Sequence, residues 1–146
     1  MKYENRFTDR ARDVINLAHE SAAEMGHGYV GSEHILLALT ERGGGMAERM
    51  LRGGGVTPEF VSDAIERTVG RGERSITTVQ GLTPRAKHII ERASGEAAKL
   101  RHGAIGTEHL LLGILREPDS VAAKIITSAG ADINGIYTDV LDVFVS

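Results

Sequence analysis

Cysteine and tryptophan are absent from this chain, and aromatic residues amount to 4% of it. With no cysteine there is no disulfide framework, no thiol nucleophile and no thiolate metal site. With so few rings, the core has to be assembled from Leu, Ile, Val, Ala and Met. No apolar run approaches the roughly 18 residues that span a bilayer. The opening stretch MKYENRFTDR also lacks the apolar segment of a secretory leader. Nor is there an excess of basic residues. The net charge is −3, spread over both halves of the chain, so no basic face invites a nucleic-acid partner. These absences point to a soluble, cytoplasmic protein that engages neither membrane nor nucleic acid.

One segment occurs twice. GSEHILLALTER occupies residues 31–42 and GTEHLLLGILRE occupies 106–117. An offset of 75 positions aligns 7–69 with 82–144 without a gap, with identities that include Thr8/Thr83, Arg10/Arg85, His27/His102, Glu33/Glu108 and His34/His109. A repeat of this kind dictates the architecture and has to be read before any fold is assigned.

Each copy reads as four helices. The first starts at Thr8 in FTDRAR and at Thr83 in LTPRAK, both good N-cap residues, with Pro84 at the first helical position. Apolar residues then recur at Ala11, Val14, Ile15, Ala18, Ala22 and Met25, and at Ala86, Ile89, Ile90, Ala93, Ala97 and Leu100. That is the stripe of a helix with one buried face, and its many alanines imply close helix approach. Gly26, Gly28 and Gly103 mark the stops. Ser32 and Thr107 are expected to cap the second helices. The HILLAL and HLLLGIL runs of those helices are apolar nearly all round, so each belongs at the centre of its half. Third helices are expected over 46–52 and 121–129, and fourth helices over 58–69 and 133–144. The polar, glycine-flanked GRGERSITTVQG, residues 70–81, reads as the linker. A half this small has little core of its own. The expected fold is therefore all-α: eight helices as two pseudo-symmetric four-helix repeats, 7–69 and 82–144, packed into one bundle as a single domain over 1–146.

Few patterns carry chemistry. His27, His34, His102 and His109 fall beside Glu33 and Glu108, but the order is Glu-His, and neighbours one apart lie about 100° apart around a helix. The expected role of these histidines is to satisfy local backbone groups and fix the turn between helices, with no metal site and no metal-hydrolase chemistry. The runs 43–45 and 53–55 are all glycine, yet no Lys-Ser or Lys-Thr follows at phosphate-loop spacing, so they read as flexible helix connections. No base-and-orienter arrangement surrounds Ser32, Thr8 or Thr83, and catalysis by this chain alone is not expected. What remains is Thr8 with Glu33 and its echo Thr83 with Glu108. A helix N-terminus with a threonine hydroxyl favours an anion such as phosphate. Arg10 and Arg85 are possible auxiliary anion contacts, and a carboxylate opening the next helix can accept a guanidinium. The same residues also suit plain helix capping.

On the doubled FTDRA/LTPRAK start, on GHGYVGSEHILLAL and on RHGAIGTEHLLLGILRE, the chain resembles the N-terminal domain of the Clp AAA+ unfoldases, most of all the ClpC branch, over essentially its whole length. The resemblance implies a recognition module that docks adaptor proteins and captures protein substrates, with an AAA+ ring and a peptidase reached through a longer parent chain. It implies no enzymatic activity and no cofactor in this module. It also implies a reader of phosphoarginine-tagged proteins, with phosphoarginine-binding sites at Thr8 with Glu33 and at Thr83 with Glu108. Departures from the family pattern fall just after each second helix, at RGGGM (42–46) and EPDS (117–120). The chain ends at Ser146 with no Walker motif. Two expectations stay open on that point: part of a longer unfoldase, or a stand-alone protein that regulates adaptor or unfoldase binding.

Overall fold

In the computed structural model, residues 3–72 and 78–145 are described; positions 73–77 of the expected linker lie outside them. A short 3-10 turn, Glu4–Arg6, leads into α1 (Asp9–Glu24), α2 (Ser32–Arg42), α3 (Gly45–Gly53) and α4 (Pro58–Thr68). The second repeat supplies α5 (Pro84–Lys99), α6 (Thr107–Leu115), α7 (Val121–Ser128) and α8 (Ile133–Val145). The eight helices are those the periodicity implied, displaced by a residue or two at some ends. Thr8 and Thr83 cap α1 and α5 as expected, accepting the Ala11 and Ala86 amides at 3.1 Å each. No helix among the described residues is long and apolar enough to cross a membrane.

The caps of α2 and α6 differ from the expectation. Gly31 and Gly106 are the N-caps, in extended conformation, and Ser32 and Thr107 are already the first helical residues. An imidazole takes the part that a glutamate usually plays in a capping box. His34 Nδ1 accepts the Gly31 amide at 2.9 Å, and His109 Nδ1 accepts that of Gly106 at 2.8 Å. The Ser32 hydroxyl is thereby released to cap a different helix, accepting the Ala122 amide of α7 at 3.0 Å.

α2 and α6 form the centre. Every residue from Ser32 to Thr40 is buried, as is His109–Leu115. α2 packs on α1, α3 and α4 of its own repeat and on α5, α6 and α7 of the other; α6 reaches α1 and α3 in the same crossed fashion. Fully buried Leu36, Leu39, Leu110 and Leu111 each contribute about 1.5–3 kcal/mol of apolar transfer. Helices of the opposite repeat add to that cover. The alanine stripes allow it: Ala11, Ala18, Ala22, Ala86, Ala93 and Ala97 are all 0% exposed.

Candidate binding site

The two repeats exchange their leading segments. Before α1, the Thr8 amide donates to the Ile105 carbonyl at 3.0 Å and the Ile105 amide donates to Arg6 at 2.7 Å, closing a parallel bridge between Phe7 and Ile105. Before α5, the Thr83 amide donates to Val30 at 2.9 Å and the Val30 amide to Gly81 at 2.8 Å, closing the matching bridge between Val30 and Leu82. Thr8 is thus brought to the N-terminus of α6, and Thr83 to that of α2. The pairing expected from sequence, Thr8 with Glu33 and Thr83 with Glu108, is therefore corrected to Thr8 with Glu108 and Thr83 with Glu33. The cause is helix length. The 16 residues of α1 rise about 24 Å, so its N-cap and the start of the next helix lie at opposite ends of a hairpin. Each site consequently needs both repeats.

At each site the carboxylate folds back over the N-cap glycine. A Cβ on Gly31 would collide with Glu33 Oε1, and one on Gly106 would stand 3.2 Å from Glu108 Oε2 and 3.8 Å from Thr8 Cγ2. Beneath the carboxylates, His34 and His109 extend the cap into a relay. Since Nδ1 of His34 accepts from Gly31, its proton sits on Nε2 and is donated to His27 Nδ1 at 2.8 Å. The His27 Nε2–H then donates to the Gly70 carbonyl at 2.7 Å. In the second repeat His109 and His102 repeat the 2.8 Å link, and the Phe144 ring stacks on His109, with centroids 5.6 Å apart. Burial, then the charge of His27, pushes the His34 pKa down to about 4. Burial also lowers that of His109, followed by His102, against the opposing pull of Glu108 and Glu96. Both histidines are held neutral at ordinary pH, as the relay requires.

Around Thr8 the surface forms an open cleft of about 300 Å³, lined by Thr8, Arg10, Gly43, Gly44, Gly45, Gly106, Thr107 and Glu108. The Arg10 guanidinium lies directly over Gly44, at φ 59°, where a Cβ would occupy its place. The glycine run that read as a connection is therefore a wall of the site. Its signal in the sequence was the abrupt loss of side chains straight after the buried second helix. Arg10 has no ion pair among the described residues, and the Glu108 carboxylate accepts the Thr107 hydroxyl at 2.9 Å. The cleft thus presents an unengaged cation and a carboxylate together. Around Thr83 the arrangement differs. Arg85 lies 3.7 Å from Glu117, which also meets Arg92 at 3.6 Å. Glu33 is only 8% exposed and makes no hydrogen bond or ion pair among the described residues.

Comparison with known proteins decides the family. The Clp repeat (R) N-terminal domain description matches residues 6–129, and again 81–144. The chain belongs to the Clp N-terminal repeat family. It is 43% identical over 136 residues to the negative regulator of genetic competence ClpC/MecB of Bacillus subtilis (strain 168), which covers 93% of this chain and 17% of that protein. A Clp N-domain chain of this length thus spans a small part of such relatives. Its fold matches the N-terminal domain of the chaperone ClpD from Arabidopsis thaliana, with a TM-score of 0.78 at 22% identity, covering 94% of this chain and 96% of that one. It also matches the ClpV N-domain in complex with a VipB peptide, with a TM-score of 0.75 at 17% identity over 98% and 89%. In this Clp N-domain, the doubled motif opens the two central helices, α2 and α6.

Proposed function

We propose that this Clp N-domain is the substrate- and adaptor-recognition module of an ATP-dependent Clp unfoldase, a binding unit without catalysis of its own, and that it reads arginine-phosphorylated proteins. The observation that carries the reading is the Thr8 cleft, where Arg10 and Glu108 face one space. Phosphoarginine joins an anionic phosphoryl group to a guanidino group. Arg10 suits the first through a charge-assisted bond, aided by the positive N-terminal ends of α1 and α6. Glu108 suits the N–H groups of the second. Thr8, whose oxygen already accepts the Ala11 amide, keeps its own hydroxyl proton to donate.

The surroundings favour this ligand over simpler anions. Beyond Arg10 the surface opens onto a shelf with Asp9, Asp13, Glu41 and Glu48 against the lone cation Arg42. A plain phosphate or phosphoserine would meet net negative potential there, with nothing to offer Glu108. The peptide-bound ClpV N-domain supports the broader part of the reading, that this fold serves to hold segments of other proteins.

Calorimetric titration of the chain with phosphoarginine, against arginine and phosphoserine, tests it. Binding of phosphoarginine that phosphoserine does not reproduce, and that Arg10→Ala weakens, is the expected outcome. No heat with a folded protein removes the phosphoarginine role and leaves adaptor docking.

A further inference from the structure

A second cleft, separate from the one around Thr8, opens between α1, the end of α2 and α4. Its volume is about 640 Å³, in the range of ligand pockets. Leu17, Met25 and Leu37 supply its apolar part, and five carboxylates line it with them: Glu20, Glu24, Glu41, Glu59 and Asp63. None of the five makes an ion pair or a side-chain hydrogen bond among the described residues. Two cations share the lining, Arg42 and Arg71, and Arg71 is already held by Glu66. Burial pushes the Glu41 pKa up, and Glu24 and Glu59 add to the rise against the pull of Arg42.

The scaffold does not impose this charge. At the equivalent positions the second repeat has Arg92 for Leu17, Gly95 for Glu20, Lys99 for Glu24 and Arg116 for Glu41. There the buried carboxylate of Glu96 is covered by Lys99, Arg116 and Tyr137. The chain also shows what chemistry the acidic cleft accepts. Gly70–Gly72, leaving α4, is strapped across the turn between α1 and α2. The His27 Nε2–H donates to the Gly70 carbonyl at 2.7 Å, and the Gly72 amide donates to the Met25 carbonyl at 2.9 Å. A Cβ on Gly72 would collide with the Gly26 carbonyl. Arg71, between the two glycines, is thereby set into the lining of the cleft.

We propose that this cleft is a docking surface for a basic amphipathic segment of a partner protein, with an apolar side chain set on Leu17 and Leu37 and lysines or arginines against the carboxylates, and that the Arg71 strap is an internal stand-in which such a segment displaces. The proposal rests on the recognition-module reading for its partner and not on phosphoarginine. Opposite charge brings the segment in and orients it, and the apolar contact holds it, so affinity falls with added salt without vanishing.

The test is fluorescence anisotropy of the 146-residue chain with a labelled lysine–leucine peptide of amphipathic helical spacing, beside a glutamate–leucine peptide of the same spacing. Glu24→Lys with Glu41→Arg installs the residues that the second repeat carries at those positions. Asp139→Lys with Asp142→Lys makes the same change of charge on the exposed face of α8. Each variant is checked for unchanged helical content. Expected is binding of the basic peptide alone, weakened about tenfold or more by the first pair and unchanged by the second. Leu17→Gln, neutral in charge, should weaken it several-fold, and Arg71→Gln should strengthen it. Equal loss from both pairs, or indifference to Leu17→Gln, would reduce the binding to general attraction and overturn the docking surface. Arg71→Gln without effect overturns the stand-in role. Phosphoarginine titration of the same proteins separates the readings: phosphoarginine binding without peptide binding overturns this surface alone, and failure of both ligands counts against the recognition module as well.

Discussion

His27 Nδ1 stands 2.8 Å from His34 Nε2, in a relay that begins at the Gly31 amide and ends on the Gly70 carbonyl. The relay ties the cap of the central helix α2 to the chain leaving the first repeat, and it works only while His34 is neutral. The His34 pKa is about 4 in the fold against 6.5 for an ordinary histidine. Between those values the unfolded chain binds the extra proton and the folded one does not, so stability rises with pH across the window. The contribution is fully present above pH 6.5 and is lost as pH falls towards 4. Its size is on the order of 3 kcal/mol, with His109 acting in the same direction. Urea unfolding at pH 7.5, 5.5 and 4.5 checks this. A His34→Asn variant should show a flatter dependence over that range, and identical slopes in the two proteins would count against the relay.

Gly44 and Gly45 both have positive φ, at 59° and 52°, but only Gly44 lies under Arg10. Replacing either by alanine should cost about 1 kcal/mol of backbone strain. Only Gly44→Ala should also displace the guanidinium and weaken the phosphoarginine binding proposed above, by roughly tenfold given a charge-assisted contact. Paired melting and titration of the two variants separates the effects, and equal binding in both would remove Gly44 from the site.

Glu33 makes no hydrogen bond or ion pair among the described residues, and its carboxylate oxygens stay open to solvent. Glu33→Ala should therefore leave the protein folded, and Glu33→Gln should change stability by less than about 1 kcal/mol, because a solvated first-turn carboxylate contributes only through the helix dipole. Unfolding by either change would make the glutamate a structural cap.

Gly113 lets α6 settle on α5. A Cβ there would strike the Ile89 carbonyl and approach the Ala93 amide to 3.2 Å. The equivalent position in the first repeat is Ala38, which is fully buried. Gly113→Ala should destabilise by about 1–3 kcal/mol through overpacking, measured by denaturant midpoint. A neutral effect would show that the helices can part at little cost.

Tyr137 donates its hydroxyl to both oxygens of Glu96, at 2.9 and 3.0 Å, and Glu96 is 4% exposed. Tyr137→Phe leaves that carboxylate with the more distant Arg116, at 3.6 Å, and Lys99, at 3.9 Å. A loss of about 1–3 kcal/mol is expected, checked by thermal unfolding of the variant beside the parent.

Local periodicity carried most of the architecture. The alanine stripes, the threonine caps at Thr8 and Thr83, and the all-round apolar runs at 34–39 and 109–115 are properties of single helices. Each follows from a spacing of 3.6 and from capping chemistry within a few residues. The repeat then required a shared core, because neither central helix can be covered by its own half. Ser32 and Thr107 do not cap their own helices because a histidine three residues on from a glycine does that work, which leaves the Ser32 hydroxyl for α7 and that of Thr107 for Glu108. The candidate sites are legible in the sequence as residue types and not as pairs. Which threonine meets which glutamate is set by the Phe7–Ile105 and Val30–Leu82 bridges, contacts between segments that no local pattern links. Likewise, whether an arginine stays unengaged, as Arg10 does, or is held, as Arg85 is by Glu117, depends on side chains brought together from different helices. The sequence by itself determined the helices, their duplication and the chemistry available. Only the tertiary structure decided the crossing of the repeats and the inequality of the two sites, because both arise from distances between residues far apart along the chain.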